Sequence, residues 1–338
     1  MTEDRVLVVH CGGHKTGTSH IQYVLAESAA ALRAAGVVYP EAGRRGWAHH
    51  NLVWEQQGAP AFDAAAGDLA AALAEAEASG ARRAILSAES LLVTGLAGRL
   101  AAPFAARGWR PVFLVWLRDQ PDLLSALYAQ AAKRLQPIPR FADYARALID
   151  DAATEPHYRR RLAAIEQATE ALGGAVIVQP YAAGDDVTPA FLSVAAPDLD
   201  PAALAVPPRR VNATLGPMSV AAAARLAADP ALRARLDRGG PISGAAMEAI
   251  FQETERRGWN ATPFHGVSSG VAERCAAAFG RQNAEIARRW FGRPWRAAVQ
   301  RGPKRKRAVF EPEKASPADR AGFEDGLAAM RRAALAGL

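Results

Sequence analysis

The chain has 338 residues, 50% of them hydrophobic and 22% charged, a composition that supports a sizeable buried core and excludes a largely disordered polypeptide. Its formal charge is +7, but the basic residues are spread along many segments and Arg greatly outnumbers Lys, which points to small or sulfated and phosphorylated anions as partners and away from nucleic acid. Cys11 and Cys275 lack the spacing of a disulfide framework or a zinc site, no apolar run is long enough to span a membrane, and the polar, acidic start carries no export signal; a cytoplasmic protein without a metal is expected.

Arg5 to His10 reads as a short, Val-rich buried strand, followed by a glycine-rich turn and a helical stretch from Ser19 to Ala35 that Gly36 ends. Val37 to Asn51, with Pro40, Gly43, Gly46 and the pair His49-His50, reads as an irregular excursion over a sheet, the kind of segment that carries sites. An Ala-rich helical pattern from Ala61 to Ser79 leads to a second strand, Arg83 to Ala88, which enters Glu89-Ser90 and then helix to Ala106. Pro111 to Leu117 is the clearest buried strand and ends in Arg118-Asp119-Gln120-Pro121, where Pro121 suits the first turn of a helix.

Helical segments over Phe141 to Asp150 and His157 to Leu172 precede a fourth buried strand, Ala175 to Pro180. Strands alternating with helices imply an α/β fold with a parallel sheet flanked by helices. Past Tyr181 the pattern changes: Pro197 to Pro217 is Pro-rich and aperiodic, and the rest is mainly helical, over Ser219 to Leu236, Ser243 to Arg257, Ser268 to Trp290 and Pro317 to Leu335. The expected organisation is an α/β core over 1–195, a mainly helical completion of the same domain over 196–300, and over 301–338 a basic linker, Arg301 to Arg307, with a terminal helix.

A phosphate needs converging amides, small residues that let backbone approach, a cation and a helix N-terminus. Gly12-Gly13-His14-Lys15-Thr16-Gly17-Thr18-Ser19, between a strand and a helix, supplies all four. A Walker A loop, GxxxxGK[ST], sets its Lys directly after the last Gly, whereas Lys15 precedes Gly17, so a nucleotide triphosphatase fits poorly.

The order Lys-Thr-Gly-Thr-Ser after a first strand resembles the phosphosulfate-binding loop of sulfotransferases that use 3′-phosphoadenosine-5′-phosphosulfate (PAPS), a family whose fold is related to the P-loop kinases. In that family an Arg ending a later strand and a Ser in the next helix bind the donor's 3′-phosphate; Arg118 and Ser125 match them, and Tyr128 and Gln130 also look like the bacterial members. The resemblance spans residues 5–181. It implies a P-loop NTPase-like sulfotransferase fold with a mainly helical C-terminal region. It further implies transfer of a sulfuryl group from PAPS to a hydroxyl or amine of a small-molecule, carbohydrate or lipid acceptor, leaving 3′-phosphoadenosine-5′-phosphate (PAP), without a metal. Gly13, His14, Lys15, Thr16, Gly17, Thr18 and Ser19 would then hold the phosphosulfate, with Lys15 stabilising the leaving phosphate, and Arg118 and Ser125 the 3′-phosphate.

Such chemistry needs a base for the acceptor's proton, and Glu41, His49, His50 and Glu89 compete for the role. The His-His-Asn-Leu stretch looks like the H-x-x-L of bacterial relatives, Glu89 stands in a similar Ser-x-Glu pattern, and Glu41 lies where some sulfotransferases carry a catalytic Glu. A P-loop-like kinase and a non-catalytic PAP- or anion-binding protein of the same fold are the alternative readings.

Overall fold

The continuous apolar runs of the sequence form strands that pair in parallel; all but the last, Ala175–Tyr181, are buried over most of their length, and that one lies at the sheet's edge and is mostly half-buried. A computed structural model describes residues 5–205, 214–236, 244–300 and 305–336. Five strands, β1 (Arg5–Gly12), β2 (Val37–Val38), β3 (Arg83–Ser87), β4 (Trp109–Arg118) and β5 (Ala175–Tyr181), form one all-parallel sheet in the order β2-β3-β1-β4-β5. Helices of the same unit flank the sheet, and Val6, Val8, Leu114 and Trp116 of β1 and β4 share one core cluster with Ile21, Leu25 and Phe191 of those helices.

The register sets where the strands stop. His10 pairs with Ser87 on one side and Leu114 on the other; after an irregularity Gly12 pairs with Val115, and β4 runs on to Arg118. The carboxyl ends of β1, β3 and β4 therefore present Gly12, Ser87 and Arg118 at one end of the sheet.

The fold class expected from the pattern holds as an α/β architecture with a five-stranded parallel sheet and a helical C-terminal region. Three expectations need correction. The excursion after Gly36 begins with an extra strand, β2, two residues long and paired to β3, too short to leave a periodic signal. The helix expected over Ser19 to Ala35 is broken into Thr18–Glu27 and Ala29–Ala34 at Ser28, whose hydroxyl accepts the N–H of Ala205 (2.8 Å). The one expected up to Ala106 breaks at the left-handed Gly95 (φ 69°) into Ser90–Thr94 and Ala97–Ala105.

The chain divides into two compact units. The first unit holds the sheet and comprises Met1–Asp119, Ala152–Asn212 and Ala278–Gly302; the second comprises Gln120–Asp151, Ala213–Ala277 and Pro303–Leu338. The second unit has its own core, in which Tyr128 packs against Phe141, Tyr144 and Phe264 (ring centroids 5.2–5.3 Å apart). Of the basic stretch Arg301 to Arg307, residues 301–304 lie outside the described residues, and Arg307 pairs with Glu311 (3.1 Å). Among the described residues no helix is long and apolar enough to cross a membrane.

Candidate active site

Where β1 ends, the backbone turns through positive φ at Gly12 (69°), Gly13 (126°), Lys15 (64°) and Gly17 (85°), while His14, Thr16 and Thr18 between them keep negative φ. This alternation turns successive N–H groups toward one side, the concave arrangement known as a nest, which suits an anion. The first two glycines are required by contact as well as by conformation. A Cβ on Gly13 would stand 2.3 Å from the Trp116 carbonyl oxygen on β4, and one on Gly12 would stand 2.7 Å from Cα of Glu89.

Two hydrogen bonds brace the loop. The Thr16 hydroxyl donates to the Gly13 carbonyl (2.7 Å) and Nη1 of Arg118 donates to the Lys15 carbonyl (3.0 Å). Thr16 thus spends its hydroxyl hydrogen on the loop, and what it offers an anion is its N–H. The Thr18–Glu27 helix begins without a side-chain cap, and the N–H groups of Thr16, Gly17, Thr18 and Ser19 make no hydrogen bond among the described residues. They sit at the positive end of that helix, ready to receive an acceptor.

Arg118 ends β4 and is 8% exposed, with its guanidinium against the loop carbonyl and 5.7 Å from the Tyr181 ring centre, while Tyr158 donates its hydroxyl hydrogen to the Arg118 carbonyl (2.7 Å). Its first task is support of the loop. Ser125 belongs to the second unit, where its buried hydroxyl accepts the N–H of Gly266 (3.2 Å).

Beside the loop, a polar cluster follows the end of β3. Nε2 of Gln22, in the first helix, donates to Oε2 of Glu89 (3.1 Å) and to Oγ of Ser87 (3.2 Å), and Nε2 of His50 lies 3.8 Å from Oε2 of Glu89. Ser87 in turn meets Nδ1 of the fully buried His10 (2.8 Å). Burial drives the Glu89 carboxyl upward, but His50, the Gln22 amide, its own backbone N–H and His14 together outweigh burial and bring it below the usual carboxylate range. Glu89 is therefore ionised at neutral pH.

The four base candidates separate cleanly. His49 is completely buried: the Ser87 N–H donates to its Nδ1 (3.1 Å), so Nε2 carries the proton and donates to the Pro40 carbonyl (3.0 Å). Burial pushes its pKa down to about 3. With both nitrogens spent on Ser87 and Pro40, His49 fastens the 37–51 segment to β3. The Glu41 carboxylate is 68% exposed and pairs with Arg44 (3.5 Å). The structure brings together His50 and Glu89, with the His50 ring stacked on Trp54 (6.0 Å).

Two residues of this site escape sequence reasoning. Gln22 carries a helical-period signal and nothing more. Glu155 lies 141 residues from His14, yet its Oε1 accepts the His14 N–H (2.7 Å) and its Oε2 lies 2.6 Å from the His14 Nδ1. Compared with protein-family models, with curated proteins and with solved structures, the chain matches none of them.

Proposed function

We propose that this chain is a sulfotransferase that takes its sulfuryl group from PAPS. Lys15 carries the reading: it stands ahead of Gly17 in an amide-lined loop at the carboxyl end of the central strand of a parallel sheet. There the connections from β1 and β4 leave toward opposite edges, the switch point at which open α/β sheets bind ligands. The loop's amides, its glycine-lined path and its lysine suit a phosphosulfate, and the position of Lys15 favours this donor over the nucleoside triphosphate of a P-loop-like kinase.

PAPS would supply a sulfuryl group on a mixed anhydride, with PAP as the leaving group. The N–H groups of Thr16 to Ser19 and the helix end behind them bind the phosphosulfate. The Lys15 ammonium neutralises the charge that collects on the bridging oxygen as its bond to sulfur breaks. As the acceptor oxygen bonds to sulfur, its proton passes to His50. A carboxylate held below its usual range is a weak base by itself, so Glu89 acts on the imidazolium that forms, stabilising and orienting it. His14, Gly13 and Arg118 complete the donor loop, Arg118 by fixing its carbonyl at Lys15.

Calorimetry with PAP in magnesium-free buffer tests the donor half, and a labelled-PAPS screen over carbohydrate, lipid, peptide and small hydroxyl acceptors tests the chemistry. No detectable PAP binding sinks the proposal; binding without transfer to any acceptor class leaves a PAP-binding protein of the same fold. In an active preparation, His50→Ala and Glu89→Gln should each lower kcat about 10²-fold while PAP affinity stays within about threefold.

A further inference from the structure

We infer that Glu155 is a positioning residue of the phosphate-binding loop, acting through His14; the inference rests on the PAPS reading above. Glu155 is 5% exposed and lies in the turn between the Phe141–Asp150 and Tyr158–Ala171 helices. A buried carboxylate beside an anion-binding loop is at first sight a liability, because it adds the same charge as the ligand and loses its own hydration. Its two oxygens are spent on one residue: Oε1 on the backbone N–H of His14 and Oε2 on the ring Nδ1. A carboxylate contact of this kind makes Nδ1 the protonated nitrogen, so the tautomer and the orientation of the imidazole are both set by Glu155.

This pairing has two consequences for the loop. The His14 N–H is removed from the set of amides available to an anion, so the cradle lies on the Thr16 to Ser19 side of Lys15. The main chain just before Lys15 is also tied down, while Arg118 ties the Lys15 carbonyl just after it. Both ties lead to the same place. The residues following Glu155 are anchored by Tyr158, whose hydroxyl donates to the Arg118 carbonyl (2.7 Å), and by Gln282, whose Nε2 donates to the Pro156 carbonyl (3.1 Å) and whose Oε1 accepts the Arg159 N–H (3.1 Å). The His157 ring packs edge-on against Phe279 (5.1 Å). Glu155 is thus presented by a braced turn to a loop whose shape decides where the lysine ammonium sits. Misplacement of such a group by a fraction of an ångström is felt in the transition state more than in ground-state binding.

The test compares wild type, Glu155→Gln, His14→Ala, the double variant and His14→Asn, each confirmed as folded by its melting midpoint. Glu155→Gln should lower kcat about tenfold or more with KM for PAPS changed less than about threefold, His14→Ala should do the same, and the double variant should be no worse than the worse single one. The ¹⁵N spectrum of the His14 ring should show Nδ1 protonated in wild type and a tautomer mixture in Glu155→Gln. His14→Asn keeps a side-chain donor toward Glu155 without the imidazole and should recover much of the activity lost in His14→Ala. Unchanged kcat in Glu155→Gln, losses that multiply in the double variant, an unaltered His14 spectrum, or no recovery in His14→Asn over His14→Ala would each overturn the inference while PAP binding by wild type leaves the donor reading standing. Failure of wild type to bind PAP removes the donor reading and the inference with it.

Discussion

Lys15 is an L-residue held at φ 64°, in the left-handed region that costs an ordinary side chain about 1–2 kcal/mol. Conformations of this kind persist where function needs them. Glycine at position 15 would follow the same path without that strain, at the cost of about 0.5–1 kcal/mol of chain entropy, and would remove the ammonium. Lys15→Gly should therefore melt within a few degrees of wild type while transfer from labelled PAPS falls by about 10²-fold or more. Turnover near the wild-type rate would take Lys15 out of the chemistry; a large loss of stability would show that its aliphatic stem holds the loop. The neighbouring histidines show what a sequence can tell at this scale. His49 and His50 are equivalent in a loop of unknown path, and only the arrival of Ser87 on Nδ1 and of the Pro40 carbonyl on Nε2 separates a buried clamp from a ring beside Glu89. Glu155 was equally invisible, since one acidic residue among 34 announces no partner 141 positions away.

At the scale of elements, the loop depends on β4 as much as on its own residues. Gly13 needs φ 126° and lies so close to the Trp116 carbonyl that a methyl group would be driven into backbone. Gly58, which ends the His50–Gln57 helix at φ 61°, has open space where its Cβ would be, so alanine there pays only the conformational cost. Gly13→Ala should destabilise by about 2–4 kcal/mol and abolish PAP binding, and Gly58→Ala by about 1–2 kcal/mol with PAP binding intact. Urea midpoints and calorimetry on the two variants check this, and equal losses would mean that the fit of the loop against β4 contributes nothing. Four of the five strands were readable in the sequence because each is a continuous apolar run; β2 was not, because two residues carry no period and its place is decided by pairing with β3. The breaks at Ser28 and Gly95 follow from contacts and a left-handed turn that helical periodicity does not register.

At the scale of the whole molecule, each of the two compact units is assembled from segments far apart in the chain, and composition does not tell them apart, because helical segments of both share the same Ala-rich, amphipathic character. What separates them is packing, and packing also sets the response to acid. The first unit buries His10 and His49 completely, and burial lowers their pKa values to about 4 and about 3 against the ordinary 6.5. Between pH 6.5 and about 4 the unfolded chain takes up a proton at each ring and the native state does not, so the unfolded state binds more protons and stability falls as pH falls. The loss is at most about 1.4 kcal/mol per pH unit for each ring. Glu89 works over a lower window: its depressed pKa contributes stability above the ordinary carboxylate value, lost as pH drops below it toward the folded-state value. Urea unfolding should therefore show stability declining from about pH 6.5, well before carboxylates protonate. His10 is the cleaner probe of the two, because its ring lies edge-on to Trp116 and Phe191 and its Nε2 has no partner among the described residues. Phenylalanine preserves those ring contacts and cannot titrate, so His10→Phe should halve the slope between pH 6.5 and 5. A wild-type protein equally stable at pH 7 and pH 5 would mean that both imidazoles reach a proton in the native state, and that the edge of the sheet behind Glu89 is open to water.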